Sequence, residues 1–142
     1  MRVLIAIDES QDATVVLAAV KRFPWPGGTE MNVLCVAEMV HPSVLELMGT
    51  TVQDVQHKED LRTATMASEI AADLREAGFA AEGNVVEGDP KTQVVEYAKQ
   101  CSADLIVVGS ESDGRLKRIL LGSVATAVVT HAHCSVLVIR NT

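Results

Sequence analysis

Apolar and polar residues follow two alternating patterns along the chain. Short runs rich in β-branched residues are typical of buried strands, and apolar residues three or four positions apart are typical of helices. The runs predict strands over 2–8, 31–37, Ala80–Glu87, Leu105–Gly109 and 135–140. The helical spacing predicts helices over 12–23 and 63–77, one beginning at Gly88-Asp89-Pro90, and one over 123–132.

This alternation predicts an α/β fold. Strands that alternate with helices form right-handed crossovers, which give a parallel sheet with helices on both faces, a three-layer doubly wound arrangement. Ligands of such sheets bind at the carboxyl ends of the strands, where the strand order reverses. If the first and fourth strands are neighbours there, Asp8 and Gly109 face each other across one crevice.

The segment 38–57 has apolar residues without a clean period. It is either a mobile flap over the crevice or a short helix packed on the edge of the sheet. Packing is the favoured interpretation, because apolar residues in a connector usually pack.

Composition narrows the class of protein. The 142 residues suffice for one domain, 1–142, and a content of 48% hydrophobic but 3% aromatic residues predicts an aliphatic core. A net charge of −7 argues against nucleic acid and anionic membranes as partners. No apolar run is long enough to span a membrane, and Asp8 interrupts the first run too early for a signal peptide, so the expected location is cytoplasmic.

The nucleophilic and metal-ligating residues predict neither an enzyme nor a metal protein. Cys35, Cys101 and Cys134 are odd in number and far apart in sequence, which favours buried reduced thiols. His131 and His133 beside Cys134 do not supply a tetrahedral metal set. No pairing of a nucleophile with a base is indicated.

The segment 109–123 carries the strongest functional signal. A strand leads into a glycine-bounded loop, and a helix starts at its far end. Glycine permits close approach of the backbone to a ligand, and the N-terminus of a helix attracts anions. The combination indicates a phosphate cradle, although the two common phosphate-binding glycine motifs are absent from this loop.

These residues together resemble the universal stress protein family over essentially the full length of the chain. The resemblance is carried by the first strand with Asp8, the turn Gly88-Asp89-Pro90, Gly109-Ser110, Gly122-Ser123-Val124, and the closing strand after Cys134. It implies a Rossmann-like, five-stranded fold of the adenine nucleotide alpha hydrolase-like type. It also implies a homodimer paired through the C-terminal strand, and a protein partner that the sequence does not identify.

Some members of the family bind ATP and others do not. Binders carry a glycine, two residues, a glycine, nine residues, a glycine, and then serine or threonine. Here Gly109, Gly122 and Ser123 fit this pattern, but Ser112 replaces the middle glycine and Gly114 is out of register. The loop also carries carboxylates and cations of nearly balanced charge, at Glu111, Asp113, Arg115, Lys117 and Arg118.

The resemblance implies a set of site residues around an adenine nucleotide. Asp8 would bond the nucleoside and the backbone of Val36 would meet the adenine, although Asp8 could instead cap the next helix and Val36 is apolar enough for a core role. The candidate cofactor-binding residues are Ala6, Ile7, Asp8, Val36, Gly109, Ser110, Ser112, Gly114, Gly122, Ser123 and Val124.

The leading hypothesis is a cytoplasmic stress-response protein that binds ATP, with Mg²⁺, or AMP, and whose occupancy gates the docking of a partner. At this point a nucleotide-free dimer that acts through protein contacts is an equally credible alternative. A third hypothesis is weak ATP hydrolysis, or self-phosphorylation at Ser110 or Ser123.

Overall fold

A five-stranded parallel sheet forms the centre of the molecule. The computed structural model describes residues 1–7, 13–43, 49, 51–110 and 121–140. Within these residues the strands are β1 (Arg2–Ile7), β2 (Glu30–Ala37), β3 (Ala80–Glu87), β4 (Leu105–Gly109) and β5 (Ser135–Ile139). Their order is β3-β2-β1-β4-β5, and every neighbouring pair is parallel. The predicted fold class is confirmed.

The strand order reverses beside β1, as the sequence predicted. The chain moves outwards from β1 to β2 and β3, and then returns to the other side of β1 to form β4 and β5. Val3 pairs with Met31 of β2 on one side and with Leu105 of β4 on the other. The first and fourth strands are therefore neighbours, and the crevice between the outgoing and returning crossovers opens at their carboxyl ends.

Four helices cover the two faces of the sheet within the described residues. They are α1 (Ala13–Arg22), α2 (Val52–Glu76), α3 (Pro90–Gln100) and α4 (Ser123–His131). The predicted start of α2 at residue 63 is wrong, because the helix begins at Val52 with Thr51 as its N-cap. Residues 52–57 are therefore helical. The first turns of α2 are largely exposed and carry no apolar stripe, which is why the spacing of hydrophobic residues did not reveal them.

The apolar core has two layers, one on each face of the sheet. The first layer lies under α1 and α2, where residues such as Val20 and Leu74 pack against Val33. The second layer lies under α3 and α4, where Val94 and Val128 pack with other aliphatic residues. Both layers are built from aliphatic side chains, as the composition predicted.

Helix α2 makes an unusually close contact with β3 at Gly83. A Cβ atom at this position would lie 2.6 Å from the carbonyl oxygen of Ala67 in α2. Real Cβ atoms do not approach backbone oxygen so closely, so the helix can sit at this distance only because Gly83 has no side chain. The glycine therefore fixes how closely the first layer packs on the sheet.

Tight turns end α2 and α3 with the same hydrogen-bond pattern. After α2, Gly78 adopts a φ of 96°, which confirms the predicted stop at this glycine. After α3, Ser102 adopts a φ of 52°, its amide donates to Lys99 at 3.2 Å, and the amide of Ala103 donates to Ala98 at 2.9 Å. This paired pattern satisfies the last carbonyls of a helix and turns the chain sharply into the next strand.

Candidate functional site

A pocket opens at the carboxyl end of the sheet, at the reversal of strand order. About 340 Å³ of space not filled by protein atoms, open solvent included, lies between its walls. Its lining comes from the ends of β1, β2 and β4 and from the first turns of α3 and α4. The lining residues are Ala6, Ile7, Val36, Pro90, Val94, Val108 and Val124.

Four of the predicted site residues lie together in this pocket, namely Ala6, Ile7, Val36 and Val124. Sequence reasoning missed Pro90, Val94 and Val108. The turn before α3 drew attention to Pro90 only as a helix start, and the two valines are indistinguishable in sequence from core residues. The lining side chains that belong to the described residues are all apolar, so this part of the pocket suits a flat, apolar or aromatic group rather than a charged one.

Helix α4 places polar donors beside this apolar pocket. Its N-cap is Gly122, which supplies no side-chain cap, and the first helical hydrogen bond runs from Thr126 to the carbonyl of Gly122 at 2.9 Å. The amides of the first helical turn, from Ser123 to Ala125, have no acceptor within the helix. Because Val124 itself lines the pocket, this positive helix end lies at its mouth and favours an anionic group there.

Ser110 connects β4, β5 and the start of α4. Its amide donates to the carbonyl of Ile139 at 2.8 Å, and its own carbonyl accepts from the amide of Gly122 at 2.7 Å. The amides of Ser110 and Gly122, two of the predicted phosphate contacts, are thus engaged within the protein. Among the predicted residues, Ser123 and Val124 are the ones whose amides belong to the open first turn of α4.

Several sequence-based assignments lie outside the described residues, and they stay predictions. They include the expected contact of a nucleoside with Asp8 and the effect of the serine in the glycine pattern. The residues concerned are Asp8, Glu111, Ser112, Asp113, Gly114, Arg115, Lys117 and Arg118.

A hydrogen-bond network anchors the connector that follows the pocket wall of β2. The Gln56 side chain of α2 accepts from the amide of Val40 at 2.9 Å and donates to the carbonyl of Glu38 at 3.3 Å. The same amide nitrogen donates to the Asp60 carboxylate at 3.0 Å. Gln56 therefore ties the chain just beyond Val36 to α2. No sequence pattern predicts this network, because its partners are polar residues on separate elements.

Two carboxyl groups continue this network to the end of β3. The hydrogen bond with Gln56, and next that with Glu87, lowers the pKa of Asp60, whereas the hydrogen bond and charge of Asp60 raise the pKa of Glu87. These opposite shifts are those expected when a protonated Glu87 donates a hydrogen bond to the Asp60 carboxylate. The raised pKa of Glu87 stabilises the folded state at low pH, and this stabilisation is lost as the pH rises through the pKa of Glu87. The lowered pKa of Asp60 stabilises the folded state at higher pH, and this stabilisation is lost as the pH falls through the pKa of Asp60.

The described residues give little support for binding of a metal ion or insertion into a membrane. No group of three or more histidine, cysteine, aspartate or glutamate residues among the described ranges could hold a metal ion. In the same ranges, every helix is too short or too polar to cross a bilayer.

Comparison with known proteins identifies the class. The model of the Universal stress protein family matches residues 1–140, so the chain belongs to that family. The universal stress protein YxiE of Bacillus subtilis is 30% identical, and the match covers 98% of each chain.

Solved structures share the fold. The structure of the protein MJ0577 matches with a TM-score of 0.82 at 27% identity, covering 99% of this chain and 96% of that one. The universal stress protein of Archaeoglobus fulgidus, solved in complex with dAMP, matches with a TM-score of 0.65 at 24% identity, covering 98% of this chain and 97% of that one. At this identity the second likeness concerns the fold alone.

Proposed function

We propose that this protein binds an adenine nucleotide at the carboxyl end of its sheet and works as a nucleotide-gated module for docking a partner protein. The observation that carries the proposal is the juxtaposition of an apolar pocket with the open first turn of α4, which meet at Val124. The pocket takes the base, and the helix start takes the nearest phosphate.

The backbone of β2 supplies a suitable edge for the base. Within the described residues, β2 pairs with β1 as far as Ile7–Cys35 and with β3 as far as Ala37–Glu87. Val36 follows Cys35 at this end of β2 and lines the pocket. Backbone donors and acceptors at Val36 give adenine a hydrogen-bonding edge beside apolar walls, as the family resemblance implies.

Relatives support an adenine nucleotide in particular. The Archaeoglobus fulgidus protein was solved with dAMP, and other structures of this fold were solved with AMP and with cAMP. The chemistry common to these ligands is adenine joined to a phosphorylated sugar. We extend it to AMP and ATP for this chain, with Mg²⁺ accompanying ATP to offset the charge of the longer phosphate.

A homodimer through β5 is the second part of the proposal. This strand is at one edge of the sheet, and Val136, Leu137 and Val138 are only partly covered in the single chain. An open strand edge with half-buried aliphatic residues is well suited to pairing with a second copy. A dimer of this kind without nucleotide is the alternative function, and nucleotide binding distinguishes the two.

Calorimetric titration with AMP, magnesium–ATP and magnesium–GTP tests the function. We expect saturable binding of the adenine nucleotides, with a stabilisation of roughly 2.7 kcal/mol at a hundred times the dissociation constant. Val124→Trp should block the pocket and abolish binding, whereas the same change at exposed Val129 in the same helix should not. Failure of both AMP and ATP to bind at millimolar concentration would favour the nucleotide-free alternative.

A further inference from the structure

Two of the three cysteines, Cys101 and Cys134, lie at the end of the sheet opposite the pocket. Cys101 is the C-cap of α3, and the turn through Ser102 leads directly into β4. Cys134 directly precedes Ser135, which pairs with Leu105 of β4. The strand register therefore puts Cys134 level with Asp104, a few residues after Cys101, although the two cysteines are far apart in sequence.

The two thiols share one environment. Both are half-buried, and both pack against the second core layer. Cys35, in contrast, is buried in the first layer on the other face of the sheet. The expectation that all three thiols are buried is thus wrong for Cys101 and Cys134, because the turn after α3 and the start of β5 lie at the margin of the core.

Different groups shift the pKa values of the two thiols. Burial raises the pKa of Cys134, and the charges of Asp104 and of an ionised Cys101 raise it further. Burial also raises the pKa of Cys101, but the amides of Ala103 and Cys101 and the charge of Arg2 act in the opposite direction. More groups therefore favour the thiolate of Cys101 than that of Cys134, for which only its own amide acts in this direction, and the charge of Cys101 acts on Cys134.

We propose that Cys101 and Cys134 form a redox-active pair that hydrogen peroxide converts into an intramolecular disulfide. The Cys101 thiolate attacks a peroxide oxygen, the O–O bond breaks, and a sulfenic acid and water form when the leaving oxygen takes up a proton. The Cys134 thiolate then attacks the sulfenic sulfur, and the S–O bond breaks to release the second water. Two thiols are oxidised by two electrons, which reduce one peroxide to two waters.

The crosslink would join two elements of the second layer. It would fix the end of α3, whose first turn contributes Pro90 and Val94 to the pocket, to the start of edge strand β5. A disulfide needs Cα atoms within roughly 7 Å of each other, so its formation tests the proximity of the two cysteines directly.

Mass spectrometry of the peroxide-treated full chain tests the proposal. We expect the intact monomer to lose two hydrogen atoms, and alkylation after denaturation to label one cysteine instead of three. Peptide mapping of the wild-type chain should identify the Cys101–Cys134 link, so the conclusion does not depend on any variant folding. The rate should continue to increase with pH above the ordinary thiol pKa of about 8.5, because burial raises the pKa of both thiols.

Serine variants supply the matched controls. Cys35→Ser should still lose two hydrogens and keep no alkylatable thiol, whereas Cys101→Ser and Cys134→Ser should retain both of their remaining thiols or gain oxygen at them. Oxygen adducts without a link in the wild-type chain would overturn the proposal. So would disulfides found only between separate chains on a non-reducing gel, or a link that involves Cys35. These outcomes are independent of nucleotide binding.

Discussion

The two faces of the sheet are both covered through aliphatic residues, but one face is closed and the other leaves a pocket. On the first face, α2 extends for 25 residues, about 37 Å, across a sheet whose longest strands have 8 residues and span about 26 Å. On the second face, α3 and α4 have only 11 and 9 residues, and both begin at the carboxyl ends of the strands. The first layer is closed by α1 together with the long helix α2, whereas the second leaves a pocket between two short helices.

This difference separates stability from binding within one small fold. The close contact at Gly83 belongs to the first layer, and the pocket lining belongs mainly to the second. The part of α2 that overshoots the sheet, roughly 10 Å from the lengths above, brings Gln56 to the strand ends. Helix α2 of the first face therefore also supplies Gln56, which holds the chain just beyond Val36 at the edge of the pocket.

The largest expected effect is on the closed face. Gly83→Ala introduces a Cβ atom 2.6 Å from the Ala67 carbonyl oxygen, a backbone atom that cannot rotate away. We expect a loss of about 1–3 kcal/mol in the free energy of unfolding, the usual cost of overpacking. Urea denaturation monitored by circular dichroism measures it.

Gly27→Ala is the matched control, because a Cβ atom there meets nothing within 4 Å. It should leave the free energy of unfolding nearly unchanged. If Gly83→Ala were as stable as the control, the close helix–strand contact would not define the first layer.

A smaller effect is expected at the anchor between the two faces. Gln56→Ala removes the side chain that bonds both Val40 and Glu38, at a cost of about 0.5–1.5 kcal/mol for a typical hydrogen bond. Hydrogen exchange at the Val40 amide should accelerate, and AMP affinity should fall a few-fold because the wall beyond Val36 is less fixed. Gln53→Ala, an exposed position in the same helix, is the control. Unchanged exchange at Val40 would contradict the anchoring role.

The sequence predicted most of the fold, because buried strands and glycine stops leave local patterns. The runs that became β3 and β4 and the stop at Gly78 are of this kind. The start of α2 left no such pattern, since its exposed turns are held by Thr51 and by polar contacts. Hydrophobic periodicity arises where one face of a helix is buried, and this part of α2 is largely exposed.

The candidate site was only partly predictable, for a different physical reason. Residues such as Val94 and Val108 line the pocket through apolar side chains that look like core in the sequence. The pairing of Asp60 with Glu87 depends on helix length, and the position of Cys134 level with Asp104 depends on strand register. Such tertiary contacts involve residues that are far apart in sequence, so no local sequence pattern predicts them.

The central claim is that the open end of the second layer holds an adenine nucleotide between the end of β2 and the start of α4. Titration of the ¹⁵N-labelled chain with AMP, followed by amide chemical shifts, tests it most directly. We predict saturable shifts concentrated at Ile7, Val36, Ser123 and Val124, with little change at Gly83. Saturable shifts that cluster instead at the amino end of the sheet, or no shifts at millimolar AMP, would contradict the claim.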